Sequence, residues 1–378
     1  MLSYFILKKV FKENDILDFK NILKIKKSVI ITLCFILFTS ILVLYSSDGG
    51  RFSSFVIRQM ISIAVSLIIF IFIVSLNIKI IEDNTYKFLF FITILLFIVI
   101  PFGKKTMGAS RWINFGFFTI QPSEFVKIAV VLACSLFFSQ IKTKRIYKLL
   151  TYIGFIIMFC VPLGLVVIQP DLATFIIIFA TIAILFFSSG IPIKYIILFL
   201  FLVAIFLPIC WYNFLQDYQK LRVINFLFPD NDPYGSGYNI KQSRIAIGSG
   251  GLFGKGFLKG TQGQLHFLPE HRTDFIFTII CEEFGFLGAI IVIFAYLYLI
   301  YYGYTVAGSV NSVYGKLICI GCSSLLFLHL FINVGMVIGL MPVAGIPLTM
   351  ISYGGSSLMM GVLCVSLMIC VDINRYKI

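Results

Sequence analysis

Apolar runs long enough to cross a bilayer recur along almost the whole of this 378-residue chain. The hydrocarbon core is about 30 Å thick and a helix rises about 1.5 Å per residue, so roughly 20 mostly apolar residues make one crossing. By that measure the sequence predicts ten spans, at residues 28–47, 55–76, 86–102, 122–141, 149–168, 172–189, 193–213, 274–302, 316–339 and 350–370. The third and sixth are short, and the sixth follows the fifth across Gln169-Pro170-Asp171. Inside hydrocarbon the backbone must satisfy its own hydrogen bonds, and runs of this length do so as helices. The expected fold is all-α: a polytopic integral membrane protein with about ten transmembrane helices and one large extracytoplasmic loop, about 214–273. With 60% hydrophobic and 12% charged residues, the chain is excluded from the soluble, disordered, coiled-coil and secreted disulfide classes.

Residues 1–27 carry seven lysines and no continuous apolar run, and no small-residue cleavage site follows the first span. They are expected to form a retained cytoplasmic tail ahead of a membrane domain covering 28–378. Orientation follows from the short loops, where Lys and Arg concentrate on the cytoplasmic side. With both termini inside, 17 of the 30 bases fall there. The formal charge of +14 is therefore mostly a matter of topology beside anionic lipid, and implies no nucleic-acid partner. Most of the nine cysteines sit within apolar runs as small hydrophobes. The Cys319–Cys322 spacing has no second pair to make a zinc or redox site, and His266, His271 and His329 are too scattered for a metal cage.

Polarity on the outer side is of a different kind. Glu124 and Lys127 are three residues apart and share a helix face at the mouth of the fourth span. Two readings stand: an ion pair that steadies the helix, or an ionisable pair facing a functional cavity. Asp171, after a proline, is either a helix cap or a cavity-facing carboxylate. Nine glycines between Gly235 and Gly263 are interleaved with Lys241, Arg244, Lys255 and Lys259. Backbone nests among glycines bind anions, and the basic residues favour an anionic ligand such as a phosphate. The GxxxxGK[ST] pattern of a nucleotide-binding loop is absent. Asp274 stands at the start of the eighth span, as a cap or as a general base at the membrane surface. Glu282 and Glu283 lie deeper in that span and require partners, structural or catalytic. Tyr353-Gly-Gly-Ser-Ser357 offers close helix approach and hydroxyls.

Four of these stretches carry a resemblance. GASRWINFGFFTIQPSEFVK from Gly108, QPDLAT from Gln169, GSGYNIKQSRIAIGSGGLFGKGFLKGTQGQLHFLPEHRTDFIF from Gly235 and GIPLTMISYGGSS from Gly345 resemble, in order, the motifs of the shape, elongation, division and sporulation (SEDS) family. GKGFLKGTQ at Gly254 is similar to the rod-shape branch rather than the division branch. The resemblance implies a peptidoglycan glycosyltransferase of the bacterial cytoplasmic (inner) membrane that polymerises lipid II during elongation. Its donor would be glycan linked to undecaprenyl diphosphate, and its acceptor the 4-hydroxyl of N-acetylglucosamine on lipid II. Asp274 matches the family's essential aspartate, with an expected role as general base. An unperturbed aspartate, with a pKa of roughly 3.9, is a weak base for a sugar alcohol, so positioning and charge stabilisation must carry much of the catalysis. Arg111, Glu124, Lys127, Asp171, Lys241, Arg244, Lys255 and Ser352 are the expected substrate-binding residues. No organic cofactor is implied; a divalent cation, Mg or Mn, is expected beside the carboxylates, with Glu124 as a ligand. Implied partners are a class B penicillin-binding protein transpeptidase and other proteins of the elongation complex. Two rival readings are a lipid II flippase, which needs no base at Asp274, and a non-catalytic scaffold, which has no use for the intramembrane carboxylates.

Overall fold

The computed structural model describes residues 18–106, 109–114, 119–144, 149–190, 215–228, 236–261 and 270–375, together with positions 197, 201, 205 and 212. A 3-10 turn over Phe19–Lys24 leads into α1 (Lys27–Ser47), α2 (Ser54–Ser75) and α3 (Ile78–Phe102). Three short strands follow: β1 (Lys104–Thr106), β2 (Ala109–Asn114) and β3 (Thr119–Ile120), paired antiparallel in that order. Then come α4 (Pro122–Lys144), α5 (Leu149–Ile168), α6 (Leu172–Ser188), α7 (Asp217–Leu227), α8 (Ser236–Gly250), α9 (Ile276–Ser309), α10 (Val313–Val337) and α11 (Gly355–Asn374). Among the described residues, seven helices are long and apolar enough to span a membrane, and 153–168 and 172–188 form two shorter apolar helices. This is a multi-pass, essentially all-α membrane protein. Of the seventh expected span, 193–213, only Ile197, Phe201, Ile205 and Tyr212 are described, each helical and exposed; the rest lies outside the described residues.

Polar side chains mark where helices begin. Ser53, Asn77, Asp171 and Ser312 accept hydrogen bonds from the first-turn N–H groups of α2, α3, α6 and α10, satisfying donors that no preceding turn can reach. Asn77 explains one departure from expectation. The third span was expected from residue 86, yet α3 starts at Ile78, because its first turns carry Glu82, Asp83 and Asn84. These polar residues conceal the helix from an apolar ruler without preventing it.

The helices sort into an inner and an outer set. In α4 and α11, 83% of the most apolar stretch is buried, against 28% in α3 and 33% in α2 and α9, so α4 and α11 form the centre of the bundle. α10, 72% buried over the same measure, packs against α4, α6, α9 and α11. The start of α1 and the end of α11 meet at one end of the bundle. Lys26, ahead of α1, pairs with Asp372 of α11 at 3.4 Å, Tyr302 of α9 donates to the same carboxylate at 2.9 Å, and Thr85 of α3 meets Tyr314 of α10 at 2.8 Å. The motifs singled out above gather at the opposite end.

α9 is broken where it passes that end. Gly285 has φ 66° and ψ −162°, which interrupts the helical ladder, and the segment following α8 fills the gap. Lys255 and Gly256 donate backbone hydrogen bonds to Glu282 O (2.9 Å) and Glu283 O (3.0 Å), while Phe286 and Leu287 donate to Gly251 O (2.9 Å) and Leu252 O (3.2 Å). The approach is too close for side chains. A Cβ on Gly250 would stand 2.0 Å from Cys281 O, and one on Gly254 would stand 2.1 Å from Glu283 O. The two carboxylates close the joint: Glu282 accepts from Lys255 Nζ at 2.6 Å and Thr261 N at 2.8 Å, and Glu283 accepts from the Ser46 hydroxyl. Gly250 and Gly254 thus serve close backbone approach, while the backbone N–H groups of Gly260 and Thr261 donate to the Glu283 and Glu282 carboxylates.

Candidate functional site

Asp274 lies in the turn 270–275. The helix begins two residues later with Phe275 as its N-cap and no side-chain cap, so Asp274 does not cap α9. Three neighbours pin the turn through its backbone. Tyr353 N donates to Arg272 O at 2.9 Å, Ser352 Oγ to Thr273 O at 2.6 Å, and Asn333 Nδ2 to Asp274 O at 2.9 Å. Ser352 also accepts from Leu348 N at 2.8 Å. Its buried hydroxyl is thus committed to holding the aspartate's turn rather than to a ligand. With the backbone fixed, the half-buried carboxylate faces Gly345: a Cβ there would stand 3.6 Å from both Asp274 Oδ2 and Arg222 Nη1. Arg222, on α7, donates to Ala344 O at 3.2 Å.

This turn lies ahead of the membrane-spanning helix, and its electrostatics are unusual for an aspartate. Loss of solvent and the nearby Glu270 carboxylate push the Asp274 pKa up to about 7, with Arg222 opposing the rise. An acid whose pKa lies near neutrality accepts a proton from an alcohol more readily than one at the ordinary value, so the surroundings strengthen the base that the sequence alone suggested was weak.

Deeper in the bundle, Lys127 and Glu124 form a buried ion pair at 2.7 Å across one turn of α4. Pro122, at the first position of this helix, gives up no hydrogen bond there. Lys127 Nζ also stands 3.0 Å from His329 Nε2 of α10. Glu124 Oε2 is buried without a hydrogen-bond partner among the described residues. The pair therefore carries an unfilled acceptor next to its ammonium.

The remaining expected residues divide. Asp171 caps α6, accepting from Thr174 N at 3.2 Å and Thr174 Oγ1 at 2.9 Å, and also accepts from Gln121 Nε2 at 3.2 Å just ahead of α4. Arg111, on β2, donates to Gln169 O at 2.9 Å and Pro170 O at 2.6 Å, clamping the α5–α6 turn. Lys255 is held by Glu282, and Arg244 donates to Gly339 O at 3.0 Å; Lys241 is exposed on α8. Arg272 pairs with Asp48 at 2.7 Å and lies over the Phe55 ring, lining with Arg51 a cavity of about 490 Å³ at the outer end. The structure thus joins Asp274 with Ser352 and Glu124 with Lys127, and spends Arg111, Arg244 and Lys255 on the frame.

An all-protein cage for a divalent cation is absent among the described residues, whereas an ion such as Mg usually rests on one or two carboxylates with waters and substrate phosphates. No group of three or more His, Cys, Asp or Glu among the described residues could hold a metal ion. Glu124, the expected ligand, has Oε1 against the Lys127 ammonium and Oε2 without a hydrogen-bond partner among the described residues.

Sequence reasoning missed Arg222, His329 and Asn333. His329 and Asn333 lie one turn apart in an apolar span, and buried polar residues in such a place are functional candidates by default. Arg222 gave no signal, because nothing local connects it with a turn some fifty residues on.

Comparison with known proteins agrees with this architecture. The family model for the FtsW/RodA/SpoVE cell cycle proteins matches residues 21–377. The peptidoglycan glycosyltransferase MrdB of Escherichia coli (strain K12) is 39% identical over 332 residues, covering 88% of this chain and 89% of that one. The peptidoglycan glycosyltransferase RodA of Treponema pallidum (strain Nichols) is 30% identical over 410 aligned positions, covering 89% of this chain and 94% of that one. In a solved peptidoglycan synthase complex that coordinates polymerization and crosslinking, one chain shares the fold with a TM-score of 0.80 at 24% identity, over 93% of this chain and 99% of that one. With the motifs in order, the family model matching residues 21–377 and relatives matched over 88–94% of each chain, this chain belongs to the FtsW/RodA/SpoVE family of SEDS proteins and is RodA-like.

Proposed function

We infer that this chain polymerises lipid II into glycan strands on the outer face of the bacterial cytoplasmic membrane, with Asp274 as general base. The activity class follows from the family: the chain is a peptidoglycan glycosyltransferase, the activity for which its curated relatives are named. The observation that carries the mechanism is the Asp274 carboxylate, raised in pKa and set in a turn pinned by three backbone hydrogen bonds, opposite a glycine. Fixing the backbone and leaving the side chain open is what a base needs for a substrate hydroxyl.

The reaction joins two lipid-linked sugars. The Asp274 carboxylate takes the proton from the 4-hydroxyl of N-acetylglucosamine on lipid II as that oxygen bonds to the anomeric carbon of the donor's N-acetylmuramic acid. The bond from that carbon to undecaprenyl diphosphate breaks, and the diphosphate leaves with the electron pair. Arg222 stands within reach to balance charge beside the base, and Lys127 supplies a buried positive charge deeper in the bundle, where the unpartnered Glu124 Oε2 suits a sugar hydroxyl. Elongation and rod shape are the proposed cellular setting.

Both termini are proposed to lie in the cytoplasm, a reading supported by α1 beginning and α11 ending at the same, base-rich end of the bundle. The proposed partner is a class B penicillin-binding protein transpeptidase, in keeping with the fold shared with a complex that couples polymerization to crosslinking. Other elongation-complex proteins are proposed beside it. The test is polymerisation of purified lipid II in detergent by this protein in complex with its transpeptidase. Asp274→Ala is expected to abolish glycan synthesis and retain lipid II binding. Long glycan from that variant would overturn the reading and leave a flippase as the better account.

A further inference from the structure

We propose that His329 and Asn333 of α10 are positioning residues that fix the place of Lys127 relative to Asp274. The proposal rests on the reading of Asp274 as the base. The two side chains are four residues apart, so they project from one face of the helix about 6 Å apart along its axis. Both are buried, with 1% and 0% of their surface exposed, in a helix that otherwise presents mostly apolar side chains. Two polar groups there would be unfavourable against Leu or Met of similar volume unless each completes specific hydrogen bonds.

Both ring nitrogens of His329 and the Asn333 amide nitrogen find partners, Asn333 Oδ1 has none among the described residues, and the bonds point in two directions. His329 Nε2 lies 3.0 Å from Lys127 Nζ, and its Nδ1 lies 3.4 Å from Pro347 O. An ammonium only donates and a carbonyl only accepts, so the ring is neutral, carries its proton on Nδ1 and receives Lys127 on Nε2. Asn333 Nδ2 donates to Ile346 O at 2.7 Å and to Asp274 O at 2.9 Å. Both partners are acceptors, which fixes the orientation of the amide. Ile346 and Pro347 are consecutive, and the next residue upstream, Gly345, faces the Asp274 carboxylate. One face of α10 therefore grips a single loop at two adjacent carbonyls, reaching Lys127 with one residue and Asp274 with the other. The base lies in the turn ahead of α9 and the buried cation on α4, and these two side chains are their shared reference.

A positioning role makes demands that packing alone does not. In polymerisation assays of the complex with its transpeptidase, His329→Leu is expected to lower kcat about tenfold to a hundredfold, the scale of a small misplacement of reacting groups, while the thermal midpoint and lipid II binding stay near wild type. His329→Gln, whose amide can accept from Lys127 and donate to Pro347 O, is expected to recover most of the rate. In a Lys127→Met background, His329→Leu is expected to add no further loss to the residual rate. Asn333→Leu is expected to shift the acidic limb of the pH–rate profile, since it releases the Asp274 backbone, whereas His329→Leu leaves that limb in place. If His329→Leu does not fold, His329→Met is read by the same criteria. Wild-type kcat in His329→Leu beside an inactive Asp274→Asn would overturn the proposal and leave the base intact. Equal losses in the Leu and Gln variants would overturn it too, as would losses that multiply with Lys127→Met. Activity in Asp274→Asn would instead remove the base on which it rests.

Discussion

At the scale of single residues, the least forgiving feature is the Glu124–Lys127 pair. Both side chains are almost wholly buried at 2.7 Å, so removing one leaves an uncompensated charge. Such losses cost roughly 3–5 kcal/mol, whereas replacing both partners by neutral groups of similar volume is far better tolerated. Lys127→Met is expected to lower the thermal midpoint in detergent more than the double variant Glu124→Gln/Lys127→Met. A single variant as stable as the double would show that the pair contributes nothing to folding. Sequence spacing made this pair legible, because residues three apart on a helix must meet. His329 was not legible in the same way: its partner lies 202 residues away, and only packing brings α4 and α10 together. Lys255 was misassigned for a related reason. Its position among glycines suggested an anionic ligand, but the anion it meets is Glu282 of the same chain.

At the scale of elements, the break in α9 and the segment seated in it form one unit. Gly254 has φ +81°, and a Cβ there would collide with the Glu283 backbone. Gly254→Ala is expected to destabilise the protein by at least roughly 1–3 kcal/mol from backbone strain alone, with the collision adding to it. Gly248, inside α8 with nothing near its Cβ position, makes the matching control. Gly248→Ala is expected to be neutral or to stabilise by roughly 0.5–1 kcal/mol through helix propensity. Melting curves for the two variants check both signs. The spans themselves were legible from apolar length, because a bilayer permits few alternatives. Their ends were less so. α3 starts eight residues early through its polar first turns, and the sheet of β1 to β3 gave no apolar signal to read. Glycine density marked the segment but not the close approach at Gly250 and Gly254, since composition does not distinguish a nest from a close backbone approach.

At the scale of the whole molecule, the protein is polarised along its axis. One end holds both described termini and the Lys26–Asp372 contact; the other holds Asp274, the docked glycine segment and the small sheet. The topology predicts opposite labelling of the two ends in intact cells. In a background lacking the native cysteines, Arg51→Cys is expected to react with a membrane-impermeant maleimide and Lys79→Cys to stay protected until the membrane is opened. The reverse pattern would place Asp274 in the cytoplasm, away from the polymer it is proposed to extend. The central claim is that Asp274 accepts the proton of the attacking hydroxyl, and the pH dependence of polymerisation tests it most directly. A base whose pKa is raised to about 7 is ionised above that value and protonated below it, so the rate should fall as pH drops through about 7. The fall approaches about tenfold per pH unit once the base is mostly protonated. Glu270 raises this pKa and Arg222 lowers it, so Glu270→Gln should move the acidic limb to lower pH and Arg222→Gln to higher pH. A rate independent of pH from roughly 5 to 8, or a limb that neither variant moves, would contradict the account.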